Sequence, residues 1–117
     1  MALNSAFITA AALPYNWQLI KQRYPDNPVM AMIKANGYGH GALEVAKALS
    51  VADAFGVATM DEALYLRAQG IANKITVMSG FVGACDIDRA IANDLSVVIY
   101  HDAQLEKLLG HTPSQPL

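Results

Sequence analysis

Four short apolar runs recur along the chain, and their spacing limits the available folds more than any other feature of the sequence. The runs begin at residues 29, 54, 75 and 96, so their starts are 25, 21 and 21 residues apart. Residues 29–33 are apolar without interruption, which is typical of a strand buried on both faces. Each interval is long enough for one crossover helix between parallel strands. The sequence therefore predicts repeated βα units and an α/β fold with a parallel sheet.

The segments between the apolar runs carry signals of helix ends. Thr59 and Glu62 have the spacing of a capping box, which opens a helix that Gly70 is expected to end. Asp86 and Asp88 are acidic residues suited to the first turn of a further helix. Other helices are predicted over residues 43–50 and 102–109, and a weak strand over residues 6–8 precedes a first helix.

Two architectures share this alternation of strands and helices. An open, doubly wound sheet of five strands fits within 117 residues, whereas a (β/α)8 barrel needs about 250. On length alone, the chain is either a doubly wound domain or the N-terminal portion of a barrel.

Composition excludes several classes of protein. Hydrophobic residues make up 54% of the chain and charged residues 15%, which excludes a disordered segment. The net charge is −2 and no basic run is present, so we expect no nucleic-acid partner. A single cysteine, Cys85, excludes an intrachain disulfide scaffold. Residues 1–20 carry no charge, but polar residues interrupt them too often for a membrane span or signal peptide, and we expect a cytoplasmic protein.

The segment that points to chemistry begins at Lys34, directly after the first uninterrupted apolar run. Folds of the α/β class place their active sites at the carboxyl ends of such strands. Gly37, Gly39 and Gly41 follow, and their lack of a Cβ allows a ligand to approach closely. The helix behind them is expected to favour an anion at its N-terminus.

A lysine that loses solvent at such a place favours its neutral amine. That amine can form a Schiff base with an aldehyde cofactor such as pyridoxal phosphate. The alternative is that Lys34 is an ordinary solvated surface residue. The G-x-G-x-G spacing does not match the dinucleotide-binding pattern, so a nucleotide is a weak hypothesis.

Residues 34–41 read K-A-N-G-Y-G-H-G and closely resemble the K-A-N-A-Y-G-H-G signature of alanine racemases. The resemblance extends over most of residues 6–109. Its further parts are the A-L-x-x-N pattern at 12–16, F-G-V-A at 55–58, D-E-A at 61–63, L-R at 66–67, G-I at 70–71 and I-T-V-M-S-G at 75–80. By this resemblance the chain is identified as a member of the family.

The resemblance implies the N-terminal portion, about five βα units, of a TIM-type (β/α)8 barrel that binds pyridoxal phosphate in a fold-type III enzyme. It implies that Lys34 forms the internal aldimine with the cofactor and acts as the base for D-alanine. It further implies that Tyr38 contacts the cofactor phosphate and that Met78 lines the cofactor pocket. The implied activity is the interconversion of L-alanine and D-alanine by a homodimer, supplying D-alanine for peptidoglycan. We expect no metal, because the histidines and the cysteine lack ligand spacing.

Two departures from the family pattern are visible. Gly37 stands where the family commonly has alanine, which is expected to loosen the loop. The chain also ends at Leu117, before the family's T-G-M strand, its carboxylate-binding and pyridine-facing arginines, and the C-terminal β domain that carries the second base. We therefore expect residues 1–117 to be a partial barrel domain that is inactive by itself.

The sequence leaves three alternatives open: a non-catalytic barrel protein that binds pyridoxal phosphate, an inactive truncated product, and a racemase of broader specificity. Other notable residues are given structural roles. His40 is expected either to cap or order the glycine loop or to act chemically. We expect Arg67 to form an ion pair and Cys85 to be a buried and inert thiol.

Overall fold

One sheet of four parallel strands organises the fold, in a computed structural model that describes residues 11–111. The four apolar runs are confirmed as strands, although the fourth strand, Leu95–Val97, is shorter than the apolar run at residues 96–100. The weak strand predicted at residues 6–8 lies outside the described residues. The elements in chain order are α1 (Ala12–Arg23), β1 (Met30–Met32), α2 (Lys34–Tyr38), α3 (Ala42–Ala48), β2 (Ala54–Val57), α4 (Met60–Ala68), β3 (Lys74–Val77), α5 (Ala84–Ala92), β4 (Leu95–Val97) and α6 (Asp102–Leu109).

Each strand pairs with the next one along the chain, in the order β1-β2-β3-β4. The register places Phe55 beside Ile75 and Ile75 beside Leu95. Residues in register on parallel strands point to the same face of the sheet, and neighbours in sequence point to opposite faces. The register therefore separates the sheet residues into two sets with different surroundings.

The face that carries Phe55 and Ile75 forms the hydrophobic core. Both side chains are completely buried, and helices pack against them. Four helices contribute buried residues to this core: Trp17 from α1, Ala46 from α3, Leu66 from α4 and Ala90 from α5.

The opposite face carries small or flexible side chains. Met30 and Met32 lie on it and are 40% and 36% exposed, beside Gly56 and Thr76 in register. A doubly wound sheet reverses its strand order and carries helices on both faces. Here the order runs in one direction and the helical core lies on one face, so the sheet is wound as part of a barrel. The face with the methionines corresponds to the barrel interior.

Helix α4 shows the predicted capping box and a well-formed C-terminus. The N–H of Glu62 donates to the hydroxyl of Thr59, and the Glu62 carboxylate accepts from the N–H of Thr59, both at 3.2 Å. At the other end Gly70 adopts φ +88°, and the N–H of Ile71 donates to the carbonyl of Leu66. This pattern is a Schellman motif, and it confirms the prediction that the helix ends at Gly70.

Among residues 11–111, Arg67 does not form the ion pair expected from the sequence. Its guanidinium donates to four backbone carbonyls at 2.6–3.0 Å, and these belong to Ile71, Asn73, Asn93 and Asp94. The planar group presents several donors in fixed directions, which suits converging carbonyls as well as a carboxylate. Arg67 therefore joins the loop after α4 to the end of α5.

Cys85 is exposed, so the prediction of a buried thiol is wrong. Helix α5 buries Ile87 and Ala90, which are three residues apart and share one face. Cys85 precedes Ile87 by two residues, which is about 200° around the helix, and it therefore points away from the core.

Among residues 11–111, no helix is long and apolar enough to cross a membrane.

Candidate functional site

The carboxyl edge of the sheet brings together residues predicted for the site. Lys34 lies two residues beyond β1, and Met78 lies one residue beyond β3. The hydrogen-bonded ladder continues to this edge, because the N–H of Met78 donates to the carbonyl of Val57 at 2.8 Å and the N–H of Ser79 donates to that of Ala58 at 3.0 Å. Lys34, Ala58 and Met78 therefore follow three neighbouring strands at one edge.

The segment after Lys34 is a turn of left-handed backbone. Ala35, Asn36 and Gly37 have φ of 52°, 54° and 66° with ψ of 51°, 45° and 36°, and Tyr38 has φ 56°. A left-handed conformation costs a residue with a side chain roughly 1–2 kcal/mol. Three of these four successive residues carry side chains, and such a turn persists only where neighbouring groups hold the backbone in place.

Hydrogen bonds hold the far end of this turn. The side-chain oxygen of Asn36 accepts from the N–H of Ala42 at 2.9 Å, and the carbonyl of Asn36 accepts from the N–H of Gly41 at 2.8 Å. The ring Nδ1 of His40 lies 3.0 Å from the carbonyl of Gly37. This contact favours the first of the two roles considered for His40, ordering of the loop.

Gly37 fits the left-handed turn because it lacks a Cβ. It is buried, and a Cβ there would lie 3.3 Å from both the Val45 Cγ2 and the Ala42 nitrogen, which is tighter than ordinary contact. Glycine also adopts positive φ without the penalty that a side chain brings. Glycine at position 37 therefore lets the backbone adopt this turn without strain. The sequence-based expectation was different, namely that glycine would loosen the loop.

The anion site expected at the helix after the glycines is not formed as predicted. Helix α3 has seven residues, and its first N–H, that of Ala42, already donates to Asn36. The carboxylate of Glu44 in the first turn lies against Gly41. The first turn of α3 therefore already carries a negative charge of the protein itself, which disfavours an anionic ligand there.

The three predicted site residues have accessible side chains. Lys34 is exposed, Tyr38 is 58% exposed and Met78 is 38% exposed. Within residues 11–111 the Lys34 ammonium has no hydrogen-bond or ion-pair partner. The loss of solvent expected at Lys34 is thus not produced by this part of the chain, but its amine is available to react with an aldehyde.

Sequence reasoning gave Glu62 only the role of a helix cap, and the structure gives it a second one. Its Oε1 accepts from the N–H of Ala35 at 2.9 Å, and its Oε2 accepts from the N–H of Ala58 at 2.6 Å and from that of Thr59 at 3.2 Å. The carboxylate therefore joins the residue after Lys34 to the end of β2. One sequence signal could have suggested this second role. Glu62 belongs to a capping box that follows β2, and β2 is the strand after the one that leads to Lys34.

The remaining histidines have structural contacts. The ring Nδ1 of His101 accepts from the N–H of Ala103 at 3.0 Å and caps α6, and the Nε2 of His111 lies 3.0 Å from Asp88. The described part of the chain contains no group of three or more histidine, cysteine or acidic side chains that could hold a metal ion.

A parallel sheet whose strands pair in chain order, with its helical core on one face, defines the class of α/β barrel proteins, whose active sites lie at the carboxyl edge of the sheet. Over residues 8–116 the sequence matches the family described as alanine racemase, N-terminal domain. The chain belongs to this family.

Relatives of known name and structure agree with this assignment. An alanine racemase of Shewanella baltica is 43% identical over 112 residues, which are 96% of this chain and 31% of that protein. The structure of alanine racemase from Acinetobacter baumannii superposes with a TM-score of 0.82 at 36% identity, covering 86% of this chain and 28% of that one. Alanine racemase from Bacillus anthracis, with bound L-Ala-P, gives 0.75 at 31% identity over 90% of this chain and 30% of that one. The chain spans about a third of the length of such relatives.

Proposed function

We propose that this chain is the part of an alanine racemase that binds pyridoxal phosphate through Lys34 and supplies the base for D-alanine. The observation that carries the proposal is the Lys34 amine, which is exposed and unpartnered within residues 11–111 at the carboxyl edge of a barrel sheet. Active sites of barrel enzymes lie at this edge. Membership of the alanine racemase family supports the choice of alanine as substrate.

The residues at this edge fit the chemistry of the cofactor. An aldehyde requires a neutral amine that no carboxylate already holds, and Lys34 meets the second requirement among the described residues. The Tyr38 hydroxyl can donate to a phosphate oxygen, and the thioether of Met78 can pack against an aromatic ring. When bound, pyridoxal phosphate supplies an electron sink that stabilises negative charge at the substrate Cα.

The chain's own residues have two tasks in this reaction. Lys34 would hold the cofactor, and its amine would move a proton at the Cα of D-alanine. Tyr38 would bind the phosphate and so help to orient the cofactor relative to Lys34.

Racemisation needs a second base on the opposite face of the substrate. We infer that the rest of the protein and a second copy supply it, as in the homodimer that the resemblance implies. The proposed product, D-alanine, would serve peptidoglycan synthesis in the cytoplasm.

Borohydride reduction tests the proposal. In the whole protein incubated with pyridoxal phosphate, reduction is expected to fix a pyridoxyl group on Lys34, located by peptide mass mapping. Lys34→Arg keeps the charge and should abolish the label, whereas Lys47→Arg alters an exposed lysine of α3 and should leave it unchanged. A label on another lysine would contradict the assignment.

Two further measurements separate the parts of the proposal. Tyr38→Phe is expected to increase the dissociation rate of the cofactor while the label still reaches Lys34, and an unchanged rate would remove the phosphate role. Exchange of the Cα proton of D-alanine in deuterated water measures the base. Labelling of Lys34 without such exchange would identify a cofactor carrier instead of a racemase.

A further inference from the structure

We infer that Glu62 is a positioning residue for Lys34, an inference that rests on the proposed function. Its carboxylate accepts from the N–H of Ala35, the residue directly after the lysine, at 2.9 Å. Its other oxygen accepts from the N–H groups of Ala58 and Thr59 at the end of β2. One side chain thereby couples the ends of two neighbouring strands.

The Ala35 contact acts on the lysine through the backbone. The N–H of Ala35 belongs to the planar peptide unit that joins Lys34 to Ala35, so holding that N–H limits rotation about the Lys34 Cα–C bond. The backbone at Lys34 is thereby held in one conformation where it leaves β1. Without this hydrogen bond the start of the left-handed turn would lose an anchor provided from another element.

The character of Glu62 suits positioning more than proton transfer. Both carboxylate oxygens are engaged by backbone donors, and an ionised carboxylate is a pure acceptor that can satisfy several of them at once. Glu62 also begins its own helix through Thr59, which makes α4 a firm support for the carboxylate. The position of Lys34 is therefore fixed relative to β2 and α4 as well as by its own strand.

Replacement by glutamine separates positioning from capping. The amide has one acceptor oxygen and one NH2 group, and the NH2 group must face either Ala35 or the pair Ala58 and Thr59. If the NH2 group faces Ala35, one hydrogen bond is lost, and if it faces Ala58 and Thr59, two are lost. The first orientation is therefore preferred, and Glu62→Gln should lose the hydrogen bond from the N–H of Ala35 while keeping those from Ala58 and Thr59. Thr59→Ala is the matched control, because it removes the hydroxyl cap of α4 and leaves the Ala35 contact in place.

The first readout needs no cofactor. Amide hydrogen exchange at Ala35, measured in the cofactor-free whole protein, is expected to be at least tenfold faster in Glu62→Gln. In Thr59→Ala it should stay within twofold of the parent. Unchanged exchange at Ala35 in Glu62→Gln would overturn the inference.

The second readout is the rate at which pyridoxal phosphate becomes attached to Lys34, trapped by borohydride at successive times. We expect at least a tenfold decrease in Glu62→Gln and none in Thr59→Ala, because misplacing a reacting group slows its reaction. An equal decrease in both variants would show that Glu62 acts only through the stability of α4.

The outcomes distinguish this inference from the proposed function. If the parent protein is not labelled at Lys34, the proposed function fails, while the exchange rate of Ala35 still reports whether Glu62 holds the turn. If the parent is labelled and Glu62→Gln behaves identically, only the positioning role fails. Should Glu62→Gln not fold, Glu62→Asp is the second variant. Its shorter side chain cannot span both strand ends, and rates equal to those of the parent would overturn the inference.

Discussion

Replacing Arg67 with methionine should destabilise the protein far more than a typical surface change. The guanidinium donates to four backbone carbonyls, and three of these hydrogen bonds are partly buried: those to Asn93, Ile71 and Asn73. Methionine keeps the unbranched stem and the helix propensity of arginine while removing every donor. The change therefore isolates the hydrogen bonds.

The magnitude follows from these contacts. A partly buried hydrogen bond contributes about 1 kcal/mol, and the exposed one to Asp94 contributes little because water replaces it. We therefore expect Arg67→Met to lower the free energy of unfolding by about 3 kcal/mol. Mutational effects of this size arise where polar groups lose their partners.

Arg89→Met is the matched control. Arg89 lies in α5 and forms an exposed ion pair with Asp86 at 3.5 Å, which contributes at most about 0.5 kcal/mol. Urea unfolding of the parent and of both variants, followed by circular dichroism, measures the difference in free energy. Equal stabilities of the two variants would refute the view that Arg67 joins the loop after α4 to the end of α5.

Two further perturbations test local features of the fold. Gly37→Ala should lower the free energy of unfolding more than Gly39→Ala, since both positions have positive φ but only a Cβ at Gly37 meets other atoms at 3.3 Å; urea unfolding showing the reverse order would contradict this. A hydrogen bond from the N–H of Val29, followed by the contact with Lys21, lowers the pKa of Asp53 below its usual range. The ionised carboxylate therefore stabilises the folded state above the unfolded-state pKa of about 3.9, and this contribution is lost as the pH falls through the lowered value. Asp53→Asn should be less stable than the parent at pH 6, and the difference should shrink toward pH 2; a difference independent of pH would remove Asp53 as its source.

Local signals were sufficient for the helix ends. The capping box of Thr59 and Glu62, and the left-handed Gly70, act within one helical turn of the residues they cap. Their hydrogen bonds close short loops, so neighbouring residues alone specify them. The same reasoning placed Lys34 at the end of a strand.

Contacts between distant residues were beyond the reach of such signals. Glu62 meets Ala35 across 27 positions in sequence, and Arg67 meets Asn93 across 26. In the sequence, Glu62 and Arg67 each look like an ordinary polar residue of a helix, and nothing near them indicates these distant partners. The left-handed turn after Lys34 was read as a glycine-rich loop, because alanine, asparagine and tyrosine rarely adopt positive φ unless surrounding groups hold them there.

The sequence by itself determined that strands and helices alternate, how α4 begins and ends, and which lysine lies at a strand end. These properties follow from apolar periodicity and from caps, which are local. The βα pattern suits an open sheet and a barrel equally; the family resemblance implied the barrel, and the tertiary structure shows the physical basis of that choice. The choice depends on which strands pair and on which face the helices cover, and both are set by the burial of Phe55 and Ile75 under helices from different parts of the chain.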